Sequence, residues 1–422
     1  MTDMAVDVAI VGGGMVGASL ALALADTGVS VVLIEGIAPD SSAQPSFDDR
    51  TTALGNASRR IFQALGVWDA IAPAAAAIRT IHVSDAGRFG FARLAATEQG
   101  IDAFGYVAPN RVIGAALWDK LRSANGVTLR MPSRPRNVEI TPEGVRITLA
   151  GAASASDELI MARVVVAADG AHSSVRAAAG IEASIEDYKQ IAIVANVAAD
   201  VPNDGTAYER FTPSGPLAVL PMKDGTYTVV WTASPERAEL LLELSEIAFL
   251  SELQGRFGWR AGRFTKVGRR GSYPLQLTRA ATTVAQRSVL IGNAAQALHP
   301  VAGQGFNLGL RDAAMLAELL AAAEDPGAPE VLKQFALWRD GDRQGVIRFT
   351  DGLVKLFGAS FPGVGALRNL GLLLFDLAPP AKSALSRVSA GFTGPSPRLA
   401  RGLAVQPVQR SISVAAPVGS EG

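Results

Sequence analysis

Hydrophobic positions first gather in a run from Val6 to Val11, give way to glycines, resume as an Ala/Leu stretch to Thr27, and form a second run from Val29 to Ile34. Unbroken apolar runs suit strands buried on both faces, so these pieces predict a β-α-β unit with a parallel sheet. Helical spacing follows at about Asn56 to Leu65 and Asn110 to Ser123. Short strands are predicted at Val127 to Met131, Val138 to Ile140 and Val145 to Leu149, and the run Arg163 to Ala168 reads as a return to the first sheet. Between Lys189 and Trp231 the pattern changes to alternation broken by Pro and Gly turns, as in Ala218 to Pro221 and Tyr227 to Trp231 around Lys223-Asp224-Gly225. That change predicts a separate antiparallel layer. Ser288 to Ile291 is a further buried strand, Gly305 to about Ala323 a helix with an apolar face, and the chain from Pro329 is helical and amphipathic.

Composition narrows the classes. Lys plus Arg equals Asp plus Glu at 39 each, so no global charge draws the chain to nucleic acid. Without cysteine there is no disulfide framework or thiolate site, which fits a cytoplasmic, reducing compartment. Only His82, His172 and His299 offer imidazole, none at metal-ligand spacing from another, so no metal is expected. The uncharged stretch Val8 to Ala25 is broken by Gly12, Gly13, Gly14 and Gly17 and preceded by Asp3 and Asp7, which argues for a buried strand, turn and helix rather than a signal or membrane segment.

Three segments carry candidate chemistry. Gly12, Gly14 and Gly17 fit G-x-G-x-x-G between a strand and a helix, with Glu35 closing the next strand. The glycines permit a tight turn, pyrophosphate approach and close helix packing, the helix N-terminus favours negative charge, and Glu35 can accept hydrogen bonds from a ribose diol. Asp169-Gly170-Ala171-His172-Ser173-Ser174-Val175-Arg176 follows a buried strand; on its own it is also an ordinary turn with Ser173 as N-cap. The third, GNAAQALHPVAGQGFNLGLRD from Gly292 to Asp312, sets a strand end, a proline and glycines directly before a helix. Such a loop can turn backbone N–H groups toward the pyrimidine end of a flavin, where negative charge gathers on reduction.

These three segments, in this order, resemble the class A flavoprotein aromatic hydroxylases typified by para-hydroxybenzoate hydroxylase. Asp49-Arg50-Thr51-Thr52-Ala53-Leu54, the stretch Val107 to Arg111, Tyr273-Pro274-Leu275, the third segment and the late RNLGLLLFD and PRLARG stretches resemble the ubiquinone-biosynthesis hydroxylases within that class. Asn293 departs from the class's Gly-Asp wording, although GNAAQ is similar to the 2-polyprenyl-6-methoxyphenol hydroxylase branch. The resemblance implies an α/β fold: a three-layer ββα Rossmann-like FAD-binding fold with an antiparallel-sheet substrate domain and a C-terminal helical region. It divides the chain into an FAD-binding domain (1–80, 105–185 and 285–330), a substrate domain (81–104 and 186–284), a helical region (331–402) and a disordered tail (403–422).

The resemblance also implies residue roles. Gly12, Gly14, Gly17, Glu35 and Arg111 would hold the pyrophosphate and ribose side of FAD. Asp169 and Asn293 would meet the pyrophosphate and ribityl chain. His299, Pro300, Gly303, Gln304, Gly305 and Asn307 would line the flavin ring, and Arg50 would lie near the flavin or the nicotinamide. Arg50 and Arg111 are equally read as ion-pair arginines, and His299 as a buried structural histidine. In the implied reaction NADPH or NADH reduces FAD, O2 adds to the reduced flavin, and the hydroperoxide passes an oxygen to an electron-rich phenolic ring. The implied substrate is a polyprenylated phenol; a small soluble aromatic substrate, or a flavin-holding scaffold subunit of a quinone-synthesis complex, stay open beside it, as does a homo-oligomer. From Phe349 to about Arg401, Leu353, Leu356, Phe357, Phe361, Leu370 and Phe375 interleave with Lys355, Arg368, Lys382 and Arg387. That suits either a helical cap or a segment lying on the inner face of the cytoplasmic membrane.

Overall fold

The computed structural model describes residues 3–38, 41, 50–87, 90–150, 157–299, 303–358 and 396–406. The strands Ser288–Leu290, Glu158–Ala167, Asp3–Val11, Val31–Ile34 and Val127–Arg130 lie side by side in that order and pair in parallel. Their β-branched residues suit a sheet buried on both faces, and successive side chains alternate between two cores. Val8, Ile10, Val31, Leu33, Val164 and Val166 pack against the helices Met15–Leu24, Asn110–Leu121 and Gln304–Ala322. Ala9, Val11, Val32, Val165 and Ala167 face the antiparallel hairpin Pro135–Ile140 and Val145–Leu149 instead. Sheet, hairpin and helices form the expected three ββα layers.

A second sheet runs through Gln296–Ala297, Gly271–Ala280, Ala183–Ala199, Tyr227–Ala233, Gly215–Pro221, Thr206–Thr212, Thr80–Asp85 and Phe91–Ala95, with Phe264–Val267 paired to one side. Its pairings are antiparallel except between Thr206–Thr212 and Thr80–Asp85. One face buries Ile193, Leu217, Val229 and Trp231 beneath the helices Pro235–Glu243 and Glu246–Phe257. The strand alternation above gives no hint of these two helices. Their start marks are nevertheless present: Ser234 and Ser245 accept hydrogen bonds from the N–H groups of Arg237 and Ala248, and Pro235 occupies the first helical turn. A small sheet of Thr51–Gly55, Gly105–Pro109 and Ala76–Ile78 lies between the two cores.

The helix Pro329–Gly358 is fastened to Gln304–Ala322 by buried charges rather than by apolar contact alone. Arg311 and Arg339 donate to Asp342 at 2.9 and 2.7 Å, Arg339 donates to Asp312 at 2.7 Å, and Gln296 donates to the same carboxylate at 3.0 Å. The PRLARG stretch returns to the first core, where Leu399 and Ala400 are buried and the Arg398 N–H donates to Glu318 at 2.9 Å. The remainder of the proposed membrane segment, the RNLGLLLFD stretch and the expected tail beyond 406 lie outside the described residues.

Candidate flavin site

The first segment forms a turn that only small residues fit. Gly12 takes φ +104°, and a Cβ there would run into the carbonyl of Ala168. At Gly17 a side chain would strike the Gly12 carbonyl. Gly14 is the N-cap of Met15–Leu24, with no side chain covering that helix N-terminus. Glu35 accepts from the N–H groups of Gly13 at 2.5 Å and Ile37 at 2.8 Å, so the acid reaches the glycine turn as its spacing predicts. Trp118 completes the turn from the neighbouring helix, donating from Nε1 to the Gly13 carbonyl at 3.1 Å. Its contribution was not visible in the sequence, because an indole inside an apolar helix reads as core.

The second segment touches the first directly: the Ala168 N–H donates to the Val11 carbonyl at 2.8 Å. Asp169 Oδ2 accepts from the Ser174 N–H and hydroxyl at 2.7 and 3.0 Å, and Ser173 caps the following turn by accepting from the Arg176 N–H at 2.9 Å. The cap reading of Ser173 is therefore correct. Asp169 Oδ1, in contrast, is buried and has no hydrogen-bond partner among the described residues. Arg176 ties this segment to the third, donating to the carbonyls of Ala171 at 2.8 Å and Ala294 at 2.9 Å.

The third segment leads from the short turn Gly292–Ala294, where Asn293 is exposed, through the buried His299 to Gly303 at the N-cap of Gln304–Ala322. Asn307 fastens it. Its Oδ1 accepts from the Gly55 N–H at 2.8 Å and the Ser58 hydroxyl at 2.6 Å, while its Nδ2 donates to the carbonyls of Ala53 at 2.8 Å and Gly303 at 2.7 Å. An amide offers two donors and two acceptor positions, so this one is fully committed to the protein. Asn307 thus holds the loop at Gly303 against the strand Thr51–Gly55. Gln304 is buried, Gly305 half-buried, and Arg111 exposed on the first turn of its helix. Pro300 lies outside the described residues.

Burial alone lowers the His299 pKa to about 4, so its imidazole is neutral at physiological pH. Tyr188 meets that ring edge-on at 5.3 Å and donates to Asp351 at 3.2 Å. Burial first, then the neighbouring Asp351 carboxylate, pushes the Tyr188 phenol well above its ordinary value, so it stays protonated. The Arg50 guanidinium lies 4.5 Å over the Tyr273 ring, joining the start of Thr51–Gly55 to the second sheet. Among the described residues no cluster of His, Cys, Asp and Glu could hold a metal ion.

The donors suit a dinucleotide. Gly12 and Gly17 let the turn close directly on the backbone of Ala168 and of Gly12, Gly14 and Gly303 begin helices without a side-chain cap bond, and Asp169 Oδ1 stands ready for a donor. A Rossmann-like sheet with this turn and this second antiparallel layer defines an FAD-dependent aromatic-ring monooxygenase. The chain belongs to the FAD binding domain family, whose model matches residues 5–350, and within it to the class A hydroxylases of ubiquinone biosynthesis. It is 39% identical to the ubiquinone hydroxylase UbiL of Rhodospirillum rubrum, over 95% of this chain and 94% of that protein. It is 33% identical to the 3-demethoxyubiquinol 3-hydroxylase of Escherichia coli, over 90% and 96% of the two chains. Among solved structures, p-nitrophenol 4-monooxygenase PnpA of Pseudomonas putida shares the fold with a TM-score of 0.74 at 24% identity, covering 93% of this chain and 98% of that one.

Proposed function

We propose that this protein is an FAD-dependent monooxygenase that hydroxylates the aromatic ring of a polyprenylated phenol in ubiquinone biosynthesis, using NADPH or NADH and O2. The observation that supports it most is the joining of all three flavin-side segments by protein bonds, through Ala168 and Arg176, in a chain similar along its length to two ubiquinone-ring hydroxylases. FAD, when bound, carries electrons from the nicotinamide to O2 and supplies the electrophilic oxygen. The chain's own residues do the rest. The glycine turn and the N-terminus of Met15–Leu24 receive the pyrophosphate, Glu35 and Asp169 offer acceptors to the sugar chain, and the N-terminus of Gln304–Ala322 favours negative charge on the ring's pyrimidine side. A neutral His299 adds no competing charge.

We also assign the protein to the cytoplasmic side of a membrane surface, because a polyprenyl chain resides in the bilayer. The amphipathic stretch from Leu353 onward supports contact there, and no helix among the described residues is long and apolar enough to cross. The deciding experiment incubates FAD-loaded protein, NADPH or NADH and isotopically labelled O2 with a C-prenylated phenol. One labelled oxygen in the product ring supports the reading. Oxidation of the nicotinamide without a labelled ring, or hydroxylation confined to short-chain soluble phenols, would reject it. Flotation with liposomes tests the membrane assignment separately.

A further inference from the structure

The second sheet carries one carboxyl group that nothing in the described chain answers. Along Thr206–Thr212, Tyr208 points toward the two covering helices and meets Phe257 edge-on at 5.3 Å. Alternation therefore turns Ala207 and Glu209 to the opposite face. Ala207 joins a cluster with Ile78, Phe104 and Val107, against which Ala53 packs. Ala53 in turn is the residue that a Cβ on Gly303 would meet at 3.1 Å, so this face continues into the ring-side loop.

Register fixes the neighbours of Glu209. It lies opposite Ala218, which lies opposite Val230, which lies opposite Val194. All three apolar residues are half-buried, whereas Ile193, Leu217 and Val229, their neighbours along the strands on the other face, are fully buried. These residues form an apolar row on the face turned away from the helices Pro235–Glu243 and Glu246–Phe257. At its end, Glu209 is itself half-buried, with Oε1 buried and without a hydrogen-bond partner among the described residues, none of which forms an ion pair with the side chain. Burial pushes its pKa up to about 7. An unanswered carboxyl is an unfavourable thing to keep in an apolar wall, and such groups gather where a ligand supplies the missing partner.

We propose that Glu209 receives the substrate's ring hydroxyl: its carboxyl accepts a hydrogen bond from the phenolic O–H while Ala218, Val230 and Val194 lie along the apolar part of the molecule. This rests on the phenol-hydroxylase reading above and deepens it. Glu209 then sets specificity for a free phenol over the corresponding ether and orients the ring. The hydrogen bond also draws electron density toward the phenolic oxygen and the ring carbons conjugated with it, where an electrophilic oxygen adds.

The test uses the full FAD-loaded chain and two probes, a C-prenylated phenol and its methyl ether, which has the same shape but no O–H. Binding is read from the change in flavin absorbance for wild type, Glu209→Gln and Glu209→Leu. Wild type should bind the phenol about tenfold or more tightly than the ether, as expected for a hydrogen bond to an ionisable group. Glu209→Leu should bring the two affinities together by weakening only the phenol, and Glu209→Gln should keep a few-fold preference through its remaining carbonyl. The thermal midpoint of Glu209→Leu should equal or exceed that of wild type, since no internal bond is lost. An unchanged phenol-to-ether ratio in Glu209→Leu overturns the proposal, as does a wild type without preference or a lowered midpoint that marks the carboxyl as structural. A wild type that binds and discriminates the probes but never hydroxylates the phenol supports the assignment of Glu209 and rejects the reaction instead.

Discussion

The indole Nε1 of Trp118 donates to the backbone carbonyl of Gly13 at 3.1 Å, while a Cβ on Gly13 would stand 2.6 Å from the same ring. Packing and hydrogen bonding from one side chain thus set the turn proposed to receive the pyrophosphate. Trp118→Phe keeps most of the packing and loses the bond, worth about 1 kcal/mol. The expected result is a folded protein whose FAD dissociation constant rises roughly fivefold, read by fluorescence titration of the apoprotein.

Gly12 offers a sharper test. Its φ of +104° and the Ala168 carbonyl beside it leave no room for a methyl group. Wild-type protein should purify yellow and release intact FAD on denaturation, whereas Gly12→Ala should lack visible flavin absorbance. Full flavin occupancy in that variant would mean that the turn does not face the cofactor.

Asn293 is exposed in the turn Gly292–Ala294, and its side chain makes no hydrogen bond to another described residue. Replacing it by the wider class's aspartate preserves an acceptor for the ribityl chain that Asn293 is proposed to meet. Asn293→Asp should retain FAD at wild-type stoichiometry, as measured by the ratio of flavin to protein absorbance. Loss of most of the flavin would show that the segment contacts it differently.

His299 links stability to acid. Burial lowers its folded pKa to about 4, below the ordinary value of 6.5, so the unfolded chain binds the proton first as pH falls. Its contribution is present above about pH 6.5 and is lost as pH falls toward 4. From pH 7 to pH 5 the loss should be roughly 2 kcal/mol. Urea unfolding of wild type and His299→Gln at the two pH values checks this: the variant should lack that part of the slope.

Asp342 has the opposite character. Burial alone would raise its pKa, but Arg311 and Arg339 overcome that and hold the carboxyl below its usual range. Removing its charge leaves two buried guanidinium groups poorly answered, so Asp342→Asn should destabilise the chain by about 3–5 kcal/mol. A drop in thermal midpoint should appear even in FAD-saturated protein.

Much of this protein was written locally. The first β-α-β unit, the glycine turn with Glu35 at reach, the strand Val145–Leu149 and the helix after the third segment follow from apolar period and from backbone demands that only particular residues satisfy. Such features depend on neighbours a few positions apart, and residue order encodes them. What only the tertiary structure decided are the relations between distant segments. The resemblance implies that Asn307 lines the flavin ring, and only the fold shows its side chain committed to Ala53, Gly55, Ser58 and Gly303. Nothing in the sequence marks Trp118 or Arg176 as a tie, yet one holds the glycine turn and the other ties the second segment to the third. Glu209 is one acid among many in the sequence, and its isolation comes from the register of four strands that bring Ala218, Val230 and Val194 alongside it. Hydrogen bonds and desolvation depend on which atoms the fold brings within a few ångströms, and the order of residues along a chain does not specify that for positions hundreds apart.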